Sequence, residues 1–218
     1  SLFLIIPTFF DFEKKEEIIK NYLLKEYNFE ISEYNNIKYT ALPLPRLELK
    51  RVQINFKKTK TKLDVTNLKI YPKIFSIYNF NNFKADKIIF DDTIANLQII
   101  NFTAFVDQLI NQQNKISFNN LNLKIINMNK FVLNVENLYF SNFGYKGNYF
   151  KGKVFGKKFK LDLENNLRSL KFKLLNSGVK ADLLLNEELT QKKKTGTLKA
   201  KVLNTKLKFD FAYDDKKL

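Results

Sequence analysis

From Asn114 nearly to its end the chain alternates apolar and polar residues with a period of two. Leu121-Leu123-Ile125, Phe131-Leu133-Val135, Phe159-Leu161-Leu163, Leu170-Phe172-Leu174, Val179-Ala181-Leu183-Leu185, Leu198-Ala200-Val202 and Leu207-Phe209-Phe211-Tyr213 each read as a one-sided strand. The separators Asn165-Asn166, Asn176-Ser177-Gly178 and Lys192-Lys193-Lys194-Thr195-Gly196 carry the turn chemistry that joins antiparallel neighbours. No proline follows Pro72, so nothing interrupts these ladders.

The first hundred residues are less uniform. Phe12 to Tyr27 places Ile18, Ile19, Tyr22 and Leu23 on one stripe, with Asp11 as N-cap, which predicts an amphipathic helix. Phe29-Glu30-Ile31 and Ile37-Lys38-Tyr39 predict two short strands around the turn dipeptide Asn35-Asn36. Leu42-Pro43-Leu44-Pro45 is an extended breaker. In the stretch from Arg46 to Phe56 the apolar parity flips between Lys50 and Arg51, which predicts a bulge or turn. Leu63-Val65, Lys87 to Phe90 and Leu97-Ile99 are further strands, and the Tyr71 to Ile77 break is a short helical turn. Phe102, Phe105, Val106, Leu109 and Ile110 recur at three and four residues and predict a helix over 102–112.

The fold class expected is therefore β-rich (α+β): an extended, twisted, mainly antiparallel sheet meander with an N-terminal amphipathic helix and one later helix. Tight turns and regular alternation argue against a doubly wound parallel sheet. Periodicity does not separate a closed sandwich or barrel from an open sheet whose apolar face is free to take a ligand.

Composition removes most catalytic chemistry. The 218 residues contain no His, Cys or Trp, so zinc sites of the usual type, thiol nucleophiles, disulfides and His-based acid-base mechanisms are absent. The net charge of +16 comes from 38 Lys+Arg against 22 Asp+Glu, nearly all of it lysine. AT-rich codons produce this skew, so it is weak support for nucleic acid as a partner, and arginine forks that read bases are scarce. Asp91-Asp92 are adjacent carboxylates, but neighbours on a strand point to opposite faces. Gly144, Gly147, Gly152 and Gly156 cluster among aromatics and read as a bulged turn pair, not a phosphate loop. No enzyme, cofactor, metal or catalytic residue is expected, and no nucleic acid partner.

The opening run contains Leu2, Phe3, Leu4, Ile5, Ile6 and Pro7. It is too short to span a bilayer, which takes about 20 apolar residues. Residues 1–10 read as the C-terminal end of a truncated transmembrane anchor ending at Pro7, and residues 11–218 as one β-rich domain, cut at its C-terminus. A buried N-terminal strand is the alternative for the run.

Taken in order, the apolar run, the helix, the short hairpin and Leu42-Pro43-Leu44-Pro45-Arg46-Leu47-Glu48-Leu49-Lys50-Arg51-Val52-Gln53-Ile54 resemble the N-terminal region of the AsmA family. Leu47, Leu49, Val52 and Ile54 match that family's Leu-x-Leu-x-x-Val-x-Ile strand. Leu63-Asp64-Val65, Tyr71 to Ile77 and Phe83 to Phe90 are similar to its next step. Asn28 and Asn35-Asn36 stand where the family has glycine, and beyond residue 95 only the alternation matches. The resemblance implies a non-enzymatic protein in the inner membrane of a diderm bacterium, single-pass, with its bulk in the periplasm. The implied role is phospholipid transport and outer-membrane lipid homeostasis, with acyl chains as cargo in an apolar β-sheet groove and an outer-membrane or envelope protein as a further partner.

Val179, Ala181, Leu183 and Leu185, with Leu198, Ala200 and Val202, are the candidates for the groove floor, ordinary core packing being the alternative. Lys180, Lys199 and Lys201 on the opposite parity would meet solvent or anionic headgroups. Three other readings stay open at this level: a closed β-sandwich acting as an assembly domain for outer-membrane biogenesis, a single-stranded nucleic acid binder, and a transmembrane β-barrel.

Overall fold

Thirteen strands form one sheet in the computed structural model, which describes Pro7, Thr59 and residues 16–57, 61–78, 82–145, 147–164, 168–187 and 193–214. In chain order the elements are α1 (Glu16–Tyr27), β1 (Phe29–Glu33), β2 (Asn36–Thr40), β3 (Arg46–Phe56), β4 (Thr61–Pro72), β5 (Ala85–Gln98), α2 (Phe102–Ile110), β6 (Lys115–Asn127) and β7 (Lys130–Ser141). There follow β8 (Tyr149–Val154), β9 (Lys157–Glu164), β10 (Ser169–Leu174), β11 (Val179–Leu185), β12 (Lys193–Val202) and β13 (Thr205–Asp214). The spatial order is β1-β3-β4 and then sequential to β13, with β2 also on β3. The sheet is open: β13 does not return to β1, so neither the closed barrel nor the two-sheet sandwich is formed. The β-rich meander with two helices is as the alternation predicts.

One local expectation is corrected. β1 and β2 are not a hairpin. Both pair antiparallel with β3, end to end along one edge, β1 against Gln53 to Phe56 and β2 against Arg46 to Lys50. An eleven-residue strand offers room for both five-residue partners, and the left-handed residue is Asn28, at φ 58°, before β1. The sheet is mainly antiparallel as expected, with β5 and β6 paired in parallel, from Lys87↔Lys115 to Gln98↔Ile126. The crossover that parallel pairing requires is α2, preceded by a 3₁₀ turn at Ile99–Asn101. The glycine cluster forms a bulged pair of turns, Gly144 and Gly147 in the turn before β8 and Gly156 in the tight turn after it, with Gly152 inside β8 opposite the bulge of β7.

The parity flip read in β3 recurs in four more strands. Burial switches register at Lys50/Arg51 in β3, Thr66/Asn67 in β4, Asp91/Asp92 in β5, Asn119/Asn120 in β6 and Glu136/Asn137 in β7. These points are neighbours, since Lys50 pairs with Asn67 and Asn67 with Asp91. Arg51, Asp92 and Asn137, on alternate strands, have φ of 51°, 50° and 49°. These five aligned breaks in alternation make a seam across the sheet, which the pairing of β3, β4, β5 and β6 crosses without a change of register, while β7 bulges there against its neighbours. At the seam's end Gly152 admits the bulged β7 backbone: a Cβ there would lie 3.1 Å from the Glu136 carbonyl oxygen and 3.2 Å from Leu138 Cα.

The core lies on the apolar face of β3–β6 beneath the two helices. Ile19, Leu23 and Tyr27 of α1, spaced by four, are buried, as are Phe105, Leu109 and Ile110 of α2. Glu16 pairs with Lys20 one turn on, and Phe12 to Lys15 of the expected helix fall outside the described residues. The Phe29 ring stacks on Phe56 at 4.6 Å and meets Phe90 edge-on at 5.5 Å, although β1 and β5 are three strand positions, roughly 14 Å, apart along the sheet. The N-terminal part is therefore curled with its apolar face inward.

Burial pushes the Tyr27 hydroxyl far above its usual range, with Tyr22 as the next cause. The unfolded chain ionises Tyr27 near pH 10 while the folded one holds it neutral. Its contribution is thus intact below about pH 10 and lost as pH rises beyond. Alkaline unfolding curves should show this loss in the wild type, and Tyr27→Phe should shift the onset of unfolding to higher pH.

Candidate functional site

On the last five strands the apolar parity lines up into rows that run across the sheet. Leu163, Leu170, Leu183, Leu198 and Phe209 are consecutive cross-strand partners. The next row is Leu161, Phe172, Ala181, Ala200 and Leu207. Four strand spacings make each row about 19 Å long. Ala181 opposite Ala200 leaves a low strip between the taller Leu183–Leu198 pair and the Val179 and Val202 ends.

No helix among the described residues covers these rows, and burial falls steadily along them. Leu47, Ile54, Ile70 and Phe90 are fully buried beneath the helices, whereas Val179, Ala181, Leu183, Leu198 and Ala200 are half-buried. Leu207 and Phe209 on the outermost strand are 45% and 46% exposed. Of the seven floor candidates, five therefore share one open surface, Leu185 is buried opposite Gly196, and Val202 is exposed at the strand end. Leu161, Leu170, Phe172, Leu207 and Phe209 complete the surface. Their alternation marked them as strand residues, and only the register shows that they continue the same rows.

The opposite face is polar. Lys180, Lys199 and Lys201 are exposed there, and Lys171 is held protonated above its ordinary range by its 2.5 Å hydrogen bond and ion pair with Glu164. At the far end of the rows Glu187 accepts the Thr195 amide at 2.6 Å and its hydroxyl at 2.9 Å, bonds that hold its carboxyl below the usual range and tie β11 to β12.

Asp91 and Asp92 do not point to opposite faces as an unbroken strand would require. The left-handed backbone at Asp92, φ 50°, turns both to the polar side, where Asp91 pairs with Lys69 at 2.5 Å and accepts from Asn119, and Asp92 accepts from Asn120, both at 2.7 Å. Asp91 in turn raises the pKa of Lys69. Both carboxylates are committed to joining strands. Among the described residues no three acidic groups converge as a metal site would require.

Of the residues expected to form a membrane anchor, Leu2, Phe3, Leu4, Ile5 and Ile6 lie outside the described residues, and Pro7 is buried. Among the described residues no helix is long and apolar enough to cross a membrane. Comparison with protein-family models, with curated proteins and with solved structures finds no match to this chain.

Proposed function

We propose that the chain is a non-enzymatic lipid-handling protein of the bacterial envelope, anchored in the inner membrane and facing the periplasm, whose open sheet face carries phospholipid acyl chains. The observation that carries this reading is the in-register apolar surface of β9–β13, which continues from a covered core into an uncovered track. Acyl chains suit such a surface because burial is worth about 0.8 kcal/mol per methylene and needs no directional partner. The half-exposed floor would be shielded by the cargo, and polar headgroups would stay in water at its rim. The resemblance of the N-terminal region to the AsmA family supports the location and the envelope role.

Photo-crosslinking tests the reading. A photoreactive residue at Leu183 should yield phospholipid adducts in intact cells, while one at Thr197, on the opposite face and six residues from the Leu203 turn, should not. Adducts at neither site in well-expressed, folded protein would make the face a protein-contact surface and end the lipid reading.

A further inference from the structure

The turns of this sheet carry a pattern that its strands do not explain. Met128, Phe155 and Leu203 each occupy the first position of a tight hairpin turn, with φ of 47°, 50° and 55°. Asn, Asp or Gly is the ordinary choice at such a position, because a bulky side chain is strained there. The three side chains bury little in return, being 86%, 82% and 66% exposed. Strain and exposed apolar surface are thus combined three times over.

All three tips lie at one end of the sheet. β6, β8, β10 and β12 run toward that end, and β7, β9, β11 and β13 run away from it. The β10–β11 turn, at the same end, reaches the β12–β13 turn at Gly178, where a Cβ would lie 3.3 Å from Leu203 Cα. Ile100, 85% exposed just beyond β5, is at the same end.

Behind the tips stands a row of like charge. Lys151, Lys160, Lys173, Lys180, Lys201 and Lys206 are directly paired across six consecutive strands, all exposed on the polar face. Like charges directly opposite one another are unfavourable in a sheet. Among the described residues, Lys160, Lys173, Lys180, Lys201 and Lys206 have no carboxylate partner. The lysines of β10–β13 stand two residues behind their turns, and those of β8 and β9 four residues behind the Phe155-Gly156 turn.

We propose that this hairpin-tip end docks on an anionic lipid bilayer, with Met128, Phe155 and Leu203 entering the headgroup boundary and the lysine row meeting lipid phosphates behind them. Isolated apolar side chains backed by lysines are what an interface of apolar depth and negative surface charge accepts. The tips are roughly 10 Å or more apart, at two strand spacings or greater. They do not merge into the contiguous apolar centre of a protein interface, whereas a bilayer takes each side chain singly. The row has no arginine and no line of aromatics, so it lacks the forks and stacking platforms of a nucleic acid site. The proposal concerns the tips and the polar face, and holds whatever occupies the apolar rows.

The absence of tryptophan makes the test direct. Met128→Trp, Phe155→Trp and Leu203→Trp, each in the full chain, should show blue-shifted emission with phosphatidylcholine–phosphatidylglycerol vesicles and little shift with phosphatidylcholine alone. Tyr145→Trp, at a fully exposed position at the opposite end, should not shift. Lys180→Gln with Lys201→Gln should weaken vesicle partitioning on the order of 30-fold. The combined Met128→Asn, Phe155→Asn, Leu203→Asn variant relieves the turns, so its melting temperature should hold or rise while vesicle binding falls. All these chains share residues 1–10, which cancels any contribution of the N-terminal run. Unshifted emission at the three tips, equal binding by the triple Asn variant, or preferential binding of single-stranded oligonucleotide over vesicles would each overturn the proposal.

Discussion

Phe90→Ala is expected to lower the stability of the folded chain by about 4 kcal/mol, as truncation of a fully buried aromatic does. Phe90 is 0% exposed, its ring stacked on Phe118 at 4.4 Å and met edge-on by Phe29 at 5.5 Å. It therefore joins the parallel β5–β6 pair to the curled edge at β1, and its loss opens a cavity between elements that cannot collapse independently. Phe90→Leu keeps most of the volume and should cost only about 1.5 kcal/mol. Urea titration followed by far-ultraviolet circular dichroism measures both. Equal effects of the two substitutions would show that ring stacking, not filled volume, holds this part together.

Gly196→Ala should act at the other end of the molecule and in a different way. Gly196 lies between Leu185 of β11 and Phe211 of β13. A Cβ there would overlap the Leu184 carbonyl oxygen and stand 3.2 Å from Leu185 Cα, so the β11 backbone itself must move. Backbone overlap of this kind costs about 3 kcal/mol. The damage should stay local, because β12 and β13 are held by strand pairing with little covering core. Hydrogen exchange should show lost protection across Lys193–Val202 and Thr205–Asp214, with β3–β6 unchanged. Since Leu198, Ala200, Leu207 and Phe209 leave with these strands, the same variant should lose two of the five strands of the apolar track. Uniform loss of protection over the whole sheet would mean that the open strands and the core unfold as one unit.

Much of this architecture was legible in the sequence because one-sided alternation is a local property. Val179 to Leu185 and Leu198 to Val202 announce their strands without reference to anything else. What each strand pairs with is not local. Phe29-Glu30-Ile31 and Ile37-Lys38-Tyr39 look like two arms of a hairpin, yet both find a better partner in the longer β3. The parallel pair was hidden for a similar reason: only one crossover helix exists, and periodicity identified the helix but not the direction of the strand after it. The seam was visible at Lys50/Arg51, but its other members carry Asn and Asp that read as ordinary polar positions until register brings them together. For the candidate site, alternation gave the side of each strand that is apolar. Whether that side was covered depended on where two short helices came to rest.

The seam also governs how the long strands find their alignment. In a plain alternating sheet a slip of two residues keeps every apolar side chain on its own side, so such errors are cheap. In β3–β7 the same slip would set a break in alternation against regular backbone and bring a polar pair such as Thr66-Asn67 against buried positions of its neighbours. The aligned breaks thus work as a vernier, admitting one relative position among those that alternation alone would allow. β9–β13 have no such mark, and their alignment rests on short turns and on the close approach at Gly196.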